Sequence, residues 1–256
     1  MEKLTIDGID LAYIRRGRGS PLVLIHGYPL DHTIWDEVVP LMEKDFDLII
    51  PDLRGFGESG MKESDNSIKG YATDIAGLLS HLNIKKASLA GHSMGGYVAL
   101  AFAREFPDRL SGLAMVSSQP GADTPETRES RISTAKQVME KGAGVVVDSM
   151  TPKLSTDKRV QDYARQLIGK QRPEGISNAL NSMAGRPDST ELFATFKFPV
   201  LIIHGDTDVL IPVKRGREMK AALPLAKYFE LAGLGHMAMM EKPEAVANAF
   251  HSIINS

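Results

Sequence analysis

The chain has 256 residues, 43% of them hydrophobic, and its 30 basic and 32 acidic side chains give a formal charge of −2. That balance argues against a nucleic-acid or acidic-membrane partner. The absence of cysteine excludes a disulfide framework, a thiolate nucleophile and any cysteine-held metal site.

The charged start at Glu2 and Lys3 has no apolar signal core. No apolar run approaches the roughly 20 residues of a membrane helix. A cytoplasmic protein without membrane insertion is expected. Residues 3–6 and 9–15 alternate apolar and polar side chains around Asp7-Gly8, which predicts a hairpin. Leu22-Val23-Leu24-Ile25 is continuously apolar, as in a strand buried on both faces, and it ends at His26-Gly27-Tyr28-Pro29. Residues 31–44 have helical spacing through Ile34, Trp35, Val38, Leu41 and Met42. A second buried strand spans 46–50 and runs into Pro51-Asp52-Leu53-Arg54-Gly55-Phe56-Gly57-Glu58-Ser59. Then come a helix over 67–82, a strand over 87–90, a helix over 97–106 and a strand over 110–116. Strands alternating with helices predict a parallel sheet covered on both faces, with its chemistry at the carboxyl ends of the strands.

The rhythm changes between residues 119 and 190. Charged helical patterns occupy 126–141, 156–170 and 173–184, and Val145-Val146-Val147 is the one β-like run. The expectation is a helical cap, 119–190, inserted into a core made of 1–118 and 191–256. The cap shows no charged cluster that would mark a carboxylated or phosphorylated substrate. The sheet resumes at 198–203, followed by a helix over 214–223, a last strand over 227–231 and an amphipathic helix over 243–254.

Chemistry concentrates in Gly91-His92-Ser93-Met94-Gly95, between a strand and a helix. Glycines two positions either side of a serine let the chain turn sharply and push the hydroxyl into a cleft, as in a nucleophile elbow. A serine hydroxyl needs a base, and the base needs a carboxylate to hold its tautomer. Among seven histidines only His236 follows the last core strand in a glycine-rich loop. His26 and His92 flank glycine turns and are expected to brace loops; His32, His81 and His251 are expected at the surface. Asp206 and Asp208 are both candidates for the acid. The oxyanion donors are expected to be the backbone N–H groups of Met94 and Tyr28. The side chains of Tyr28, Met94 and Met237 are then free to shape a substrate pocket, within a set of methionines belonging mostly to the core.

These segments, with Gly205-Asp206-Thr207-Asp208 and Gly235-His236, resemble the α/β-hydrolase superfamily, in particular its small lidded esterase and haloperoxidase-like group. The resemblance runs from about Pro21 to Ile254. It implies a mostly parallel eight-stranded sheet with helices on both faces and a helical lid. It also implies Asp208, in the pattern Gly-x-x-Asp, as the acid, with Asp206 as a turn former. Arg186-Pro187-Asp188-Ser189 also resembles this group and is expected to return the lid to the sheet. Serine at 93 argues against haloalkane dehalogenases and epoxide hydrolases of this fold, which carry aspartate there. The expected activity is hydrolysis of small to medium acyl or aryl esters by a Ser93-His236-Asp208 triad, without metal or organic cofactor, in a monomer or small homo-oligomer. Carbon–carbon bond hydrolase, enol-lactonase and perhydrolase readings use the same triad. A non-hydrolytic receptor is the reading from another class.

Overall fold

The computed structural model describes residues 1–62 and 67–254, with side chains to 252. Eight strands form one sheet: β1 (Glu2–Ile6), β2 (Ile9–Gly17), β3 (Ser20–Ile25), β4 (Phe46–Pro51), β5 (Ala87–His92), β6 (Leu110–Val116), β7 (Val200–Gly205) and β8 (Lys227–Leu231). Their order is β1-β2-β4-β3-β5-β6-β7-β8. Only β2 runs against its neighbours, pairing antiparallel with both β1 and β4. Every residue of β4 and β7 is buried, so both faces of the sheet centre are covered.

The helices are α1 (Val39–Met42), α2 (Ile68–His81), α3 (Met94–Glu105), α4 (Pro125–Lys141), α5 (Gly144–Leu154), α6 (Lys158–Gly169), α7 (Pro173–Ala184), α8 (Thr190–Ala194), α9 (Lys214–Ala222), α10 (Ala238–Glu241) and α11 (Pro243–Ile254). α2 packs on α3, and α1 on α11. No helix among the described residues is long and apolar enough to cross a membrane.

The order of strands positions the site. β3 pairs with β4 on one side and β5 on the other, both in parallel. The chain leaves β3 toward β4 and returns past it to β5. Direction reverses there, and a crevice opens at the carboxyl ends of β3 and β5. His26-Gly27-Tyr28 leaves one lip and Ser93 the other.

Two expected elements differ. Residues 31–44 do not form one helix but a 3-10 turn over His32–Trp35 and the short α1. Pro40 lies inside the run; it has no N–H and its ring clashes with the preceding turn. Val145-Val146-Val147 is not β-like but lies in α5, where Val146 is buried. Packing against the neighbouring helices overrides the strand preference of three β-branched residues.

Helices α4 to α8 lie between β6 and β7, with α4 packed on α7 and α5 on α6. Their apolar faces join the same continuous core as the sheet. The two ends of this excursion are fastened together. Arg186 Nη1 lies 2.8 Å from Asp123 Oδ1 and donates to Met183 O; Nη2 donates to Gly121 O. Its guanidinium stacks 4.0 Å over the Tyr97 ring. Asp188 Oδ2 accepts from Ala122 N–H at 2.9 Å. Asp123 is shared: Arg131 Nε donates to its Oδ2 at 2.6 Å. The Asp123 side chain is only 3% exposed. Asp123→Asn leaves two guanidiniums without their buried counter-charge. The expected loss is about 3 kcal/mol of stability, a fall in Tm of roughly 6–12 °C, read by thermal unfolding. An unchanged Tm would show that the fastening contributes nothing.

Candidate active site

β5 ends at His92 and α3 begins at Met94, leaving Ser93 as the corner, with φ 51° and ψ −114°. A positive φ in a serine costs of order 1–3 kcal/mol and persists only where the surroundings hold it. Ser93 N–H donates to Val116 O at 2.9 Å. Its carbonyl accepts from Gly96 N–H at 2.9 Å and from Ser118 Oγ at 2.8 Å. The turn closes only because its flanks lack side chains. A Cβ on Gly91 would sit 2.2 Å from the Gly95 carbonyl carbon, and one on Gly95 would sit 2.5 Å from Ile25 O.

The loop after β3 presses on this corner. A Cβ on Gly27 would lie 2.5 Å from His92 Nδ1 and 3.1 Å from Ser93 Cβ. The next N–H belongs to Tyr28. Met94 N–H is the first of α3, where a helix supplies no acceptor. Among the described residues neither N–H donates to another group.

His236 follows β8 and is held at three points. Its N–H donates to Leu154 O at 3.0 Å, and its carbonyl accepts from His92 Nε2 at 3.0 Å. Its Nδ1 donates to Asp208 Oδ2 at 2.7 Å, which leaves Nε2 as the acceptor of a neutral imidazole. Asp208 Oδ1 accepts from Leu210 and Ile211 N–H, both at 2.9 Å. Burial alone would raise the Asp208 pKa; the adjoining His236 and the Ile211 N–H outweigh it and hold the carboxyl below its usual range. Asp206 points elsewhere: its Oδ1 accepts from Gly233 N–H at 2.7 Å and closes the turn after β8.

Ser93, Tyr28 and His236 line one cavity of about 500 Å³, whose far wall is built from α4, α5 and α7. No Ser93 hydroxyl hydrogen bond occurs among the described residues. The contact from Oγ to Nε2 is thus open in this structure, as is common before substrate binds.

Of the side chains expected around the pocket, Tyr28 lines it. Met94 and Met237 are instead fully buried in the core and do not reach the cavity. Met150 and Met183 are the methionines on its wall. His26 braces the loop as expected: Leu53 N–H donates to its Nε2 at 2.9 Å, and its Nδ1 donates to Gly27 O at 2.9 Å. His32 is not a surface group; it is largely buried, with Nδ1 2.7 Å from Asp52 Oδ1. Asp52 Oδ2 accepts from Glu58 N–H, and Arg54 forks onto Asp74, so this pair of residues orders the loop after β4. His204, on β7, donates through Nε2 to Ile211 O at 2.7 Å and lies 3.7 Å from Asp208 Oδ2. The sequence marks it only as a histidine before the acid turn. Arg131, Glu126 and Lys153 also stand on the cavity wall, three charged side chains of the helical patterns that the sequence did not assign to a substrate.

Comparison with known proteins follows the same lines. The family model described as alpha/beta hydrolase fold matches residues 20–243. A thermophilic esterase from Thermogutta terrifontis superposes with a TM-score of 0.95 at 35% identity, covering 100% of this chain and 98% of that one. An enol-lactonase from Burkholderia xenovorans LB400 superposes with a TM-score of 0.91 over 100% of both chains; at 24% identity it attests the fold. A pimeloyl-[acyl-carrier protein] methyl ester esterase of Legionella pneumophila is 29% identical over 230 residues, 88% of this chain and 91% of its own. The chain belongs to the alpha/beta hydrolase fold family, and hydrolase chemistry is what that membership supports.

Proposed function

We propose that the protein is a serine carboxylesterase acting on small to medium acyl or aryl esters, with Ser93 as nucleophile, His236 as base and Asp208 as the acid that orients it. The observation that carries this reading is the 2.7 Å contact from His236 Nδ1 to Asp208 Oδ2 beside a cavity that also takes in Ser93. Ser93 Oγ attacks the ester carbonyl while His236 Nε2 takes its proton. The developing oxyanion accepts from the N–H groups of Tyr28 and Met94; each such donor contributes roughly 10²–10³ in turnover. The tetrahedral adduct collapses, His236 returns the proton to the departing alkoxide, and the alcohol leaves an acyl-Ser93. Water, deprotonated by the same imidazole, releases the acid and restores the hydroxyl. Residues 119–190 serve as the cap that closes the acyl pocket. Similarity to the Thermogutta esterase and the Legionella methyl ester esterase favours ester over carbon–carbon, lactone or peracid chemistry.

The test is a panel of p-nitrophenyl esters of graded length, run beside labelling with a fluorophosphonate. Turnover on the shorter esters and a single covalent adduct mapped to Ser93 are expected. A panel without turnover, together with tight ligand binding and no adduct, would instead indicate a receptor built on this fold.

A further inference from the structure

One corner of the cavity carries more positive charge and more hydrogen-bonding capacity than the protein itself uses. The Asp123 carboxylate serves two guanidiniums, those of Arg131 and Arg186. One negative charge against two positive ones leaves a surplus. Arg186 is inside, held by Asp123, by two backbone carbonyls and by the Tyr97 face, with its Nε left unpaired among the described residues. Of the two, it is Arg131 that lines the cavity, where it is 22% exposed. Its Nε and Nη2 face Asp123, at 2.6 and 3.4 Å. Among the described residues its Nη1 has only the Met183 sulfur at 3.5 Å, a weak acceptor for a charged donor.

A second group in the same cavity is also unused. Tyr28 is 6% exposed, yet its hydroxyl has no hydrogen-bond partner among the described residues. A buried hydroxyl left unpaired is unfavourable, a penalty that a bound acceptor would remove. Burial pushes the phenol well above its usual pKa, and the positive field of Arg131 opposes that push, so the phenol stays a donor. The remaining charges on this wall do not cancel the surplus. Glu126 and Lys153 carry one charge of each sign and leave it unchanged.

We propose that this corner is a carboxylate subsite: the substrate carries, besides its scissile bond, an ionised carboxylate held by Arg131 Nη1 and Tyr28 Oη. The proposal rests on the hydrolase reading above and narrows it from esters in general to esters with an acidic arm. Arg131 forms a charge-assisted hydrogen bond to one carboxylate oxygen, and the phenol donates to the other. A neutral chain of the same length leaves both donors without an anionic acceptor.

Two pairs of esters test it. In the first the charge is on the acyl side: the mono-p-nitrophenyl ester of glutarate against p-nitrophenyl valerate. In the second it is on the alcohol side: the butyryl ester of 3-hydroxybenzoate against phenyl butyrate. The wild-type protein is expected to favour the charged member of one pair by about 10-fold or more in kcat/KM. The pair that shows the preference identifies the side that carries the arm. Arg131→Met is expected to remove most of that preference, and Tyr28→Phe, which deletes one oxygen and leaves the fold intact, about 3-fold to 10-fold of it. A wild-type ratio at or below one in both pairs overturns the subsite. So does an equal loss on both members of a pair in Arg131→Met, the result of a purely structural latch. Calorimetric titration with glutarate separates this proposal from the hydrolase reading. Glutarate binding that Arg131→Met abolishes, in a protein that cleaves no ester, keeps the subsite and removes the hydrolase. Cleavage of the neutral esters with no glutarate binding does the reverse.

Discussion

Ser93→Ala is expected to lower kcat for p-nitrophenyl butyrate by roughly 10⁵–10⁶-fold while leaving the fold in place. The substitution removes a single oxygen that holds no hydrogen bond among the described residues. Alanine inherits the same φ of 51° and the same backbone partners, so stability moves little. On the proposed mechanism, what disappears is the atom that forms the acyl-enzyme, leaving the oxyanion donors and cavity to act on water alone. Asp208→Asn completes the series with a smaller loss, roughly 10⁴-fold. Its carbonyl oxygen still accepts from Leu210 and Ile211. Its amide, however, presents a donor to His236 Nδ1 and favours the tautomer whose Nε2 already carries a proton, which cannot take one from Ser93. Kinetics with circular dichroism on each variant check both figures. Undiminished turnover in the alanine variant removes Ser93 from the mechanism; undiminished turnover in the asparagine variant removes Asp208.

Acidification is expected to cost the fold up to about 4 kcal/mol within roughly one pH unit below the ordinary histidine pKa of about 6.5. Three histidines are buried in their neutral forms. Burial pushes the pKa of His26 down, that of His92 well down with the neighbouring His236 adding to it, and that of His204 down. In the unfolded chain each takes up a proton near pH 6.5, whereas in the folded protein each resists. Stability from these groups is complete above that value and falls as pH drops through it, by about 1.4 kcal/mol per pH unit for each. His32 has the opposite sign. Burial pushes it down, but its hydrogen bond to Asp52 outweighs that and raises its pKa. Its contribution is full below the unfolded value and is lost as pH rises through the folded one, so it grows as pH falls across this window and offsets part of the loss from the other three. The lowered carboxyls of Asp52 and Asp208 yield only below about pH 4 and leave the histidine window uncontested. Urea midpoints at about pH 7 and about pH 5.5 measure the slope. A flat profile between them would mean that these imidazoles titrate as freely as in the unfolded chain.

The chain disclosed its sheet more readily than its cavity. β3, β4 and β7 were legible because a strand covered on both faces has no polar alternation to confuse it. The elbow was legible because its glycines leave only a few readings for a serine between a strand and a helix. Pro40 carried the signal that residues 31–44 would break, but the apolar spacing around it is helical on both sides. Val145-Val146-Val147 misled in the usual way for a short β-branched run, since helix α5 is set by what packs on it. The wall charges were illegible for a different reason. Arg131 reads as one more solvated position on a charged helix, and only the folding-back of Arg186 onto Asp123 leaves it short of a partner. His204 and His32 gained their roles from residues four and twenty positions away, through contacts that no local pattern records.

The tight corner at Ser93 has a consequence for how this chain can drift. Side chains are barred from positions 91 and 95 by the backbone atoms crowding them, whatever reaction is or is not performed nearby. A descendant that lost all turnover would still be obliged to spell both glycines, or else unfold. The familiar pentapeptide is therefore a signature of carpentry, and only the oxygen at its centre, with its two distant accomplices, testifies to an occupation.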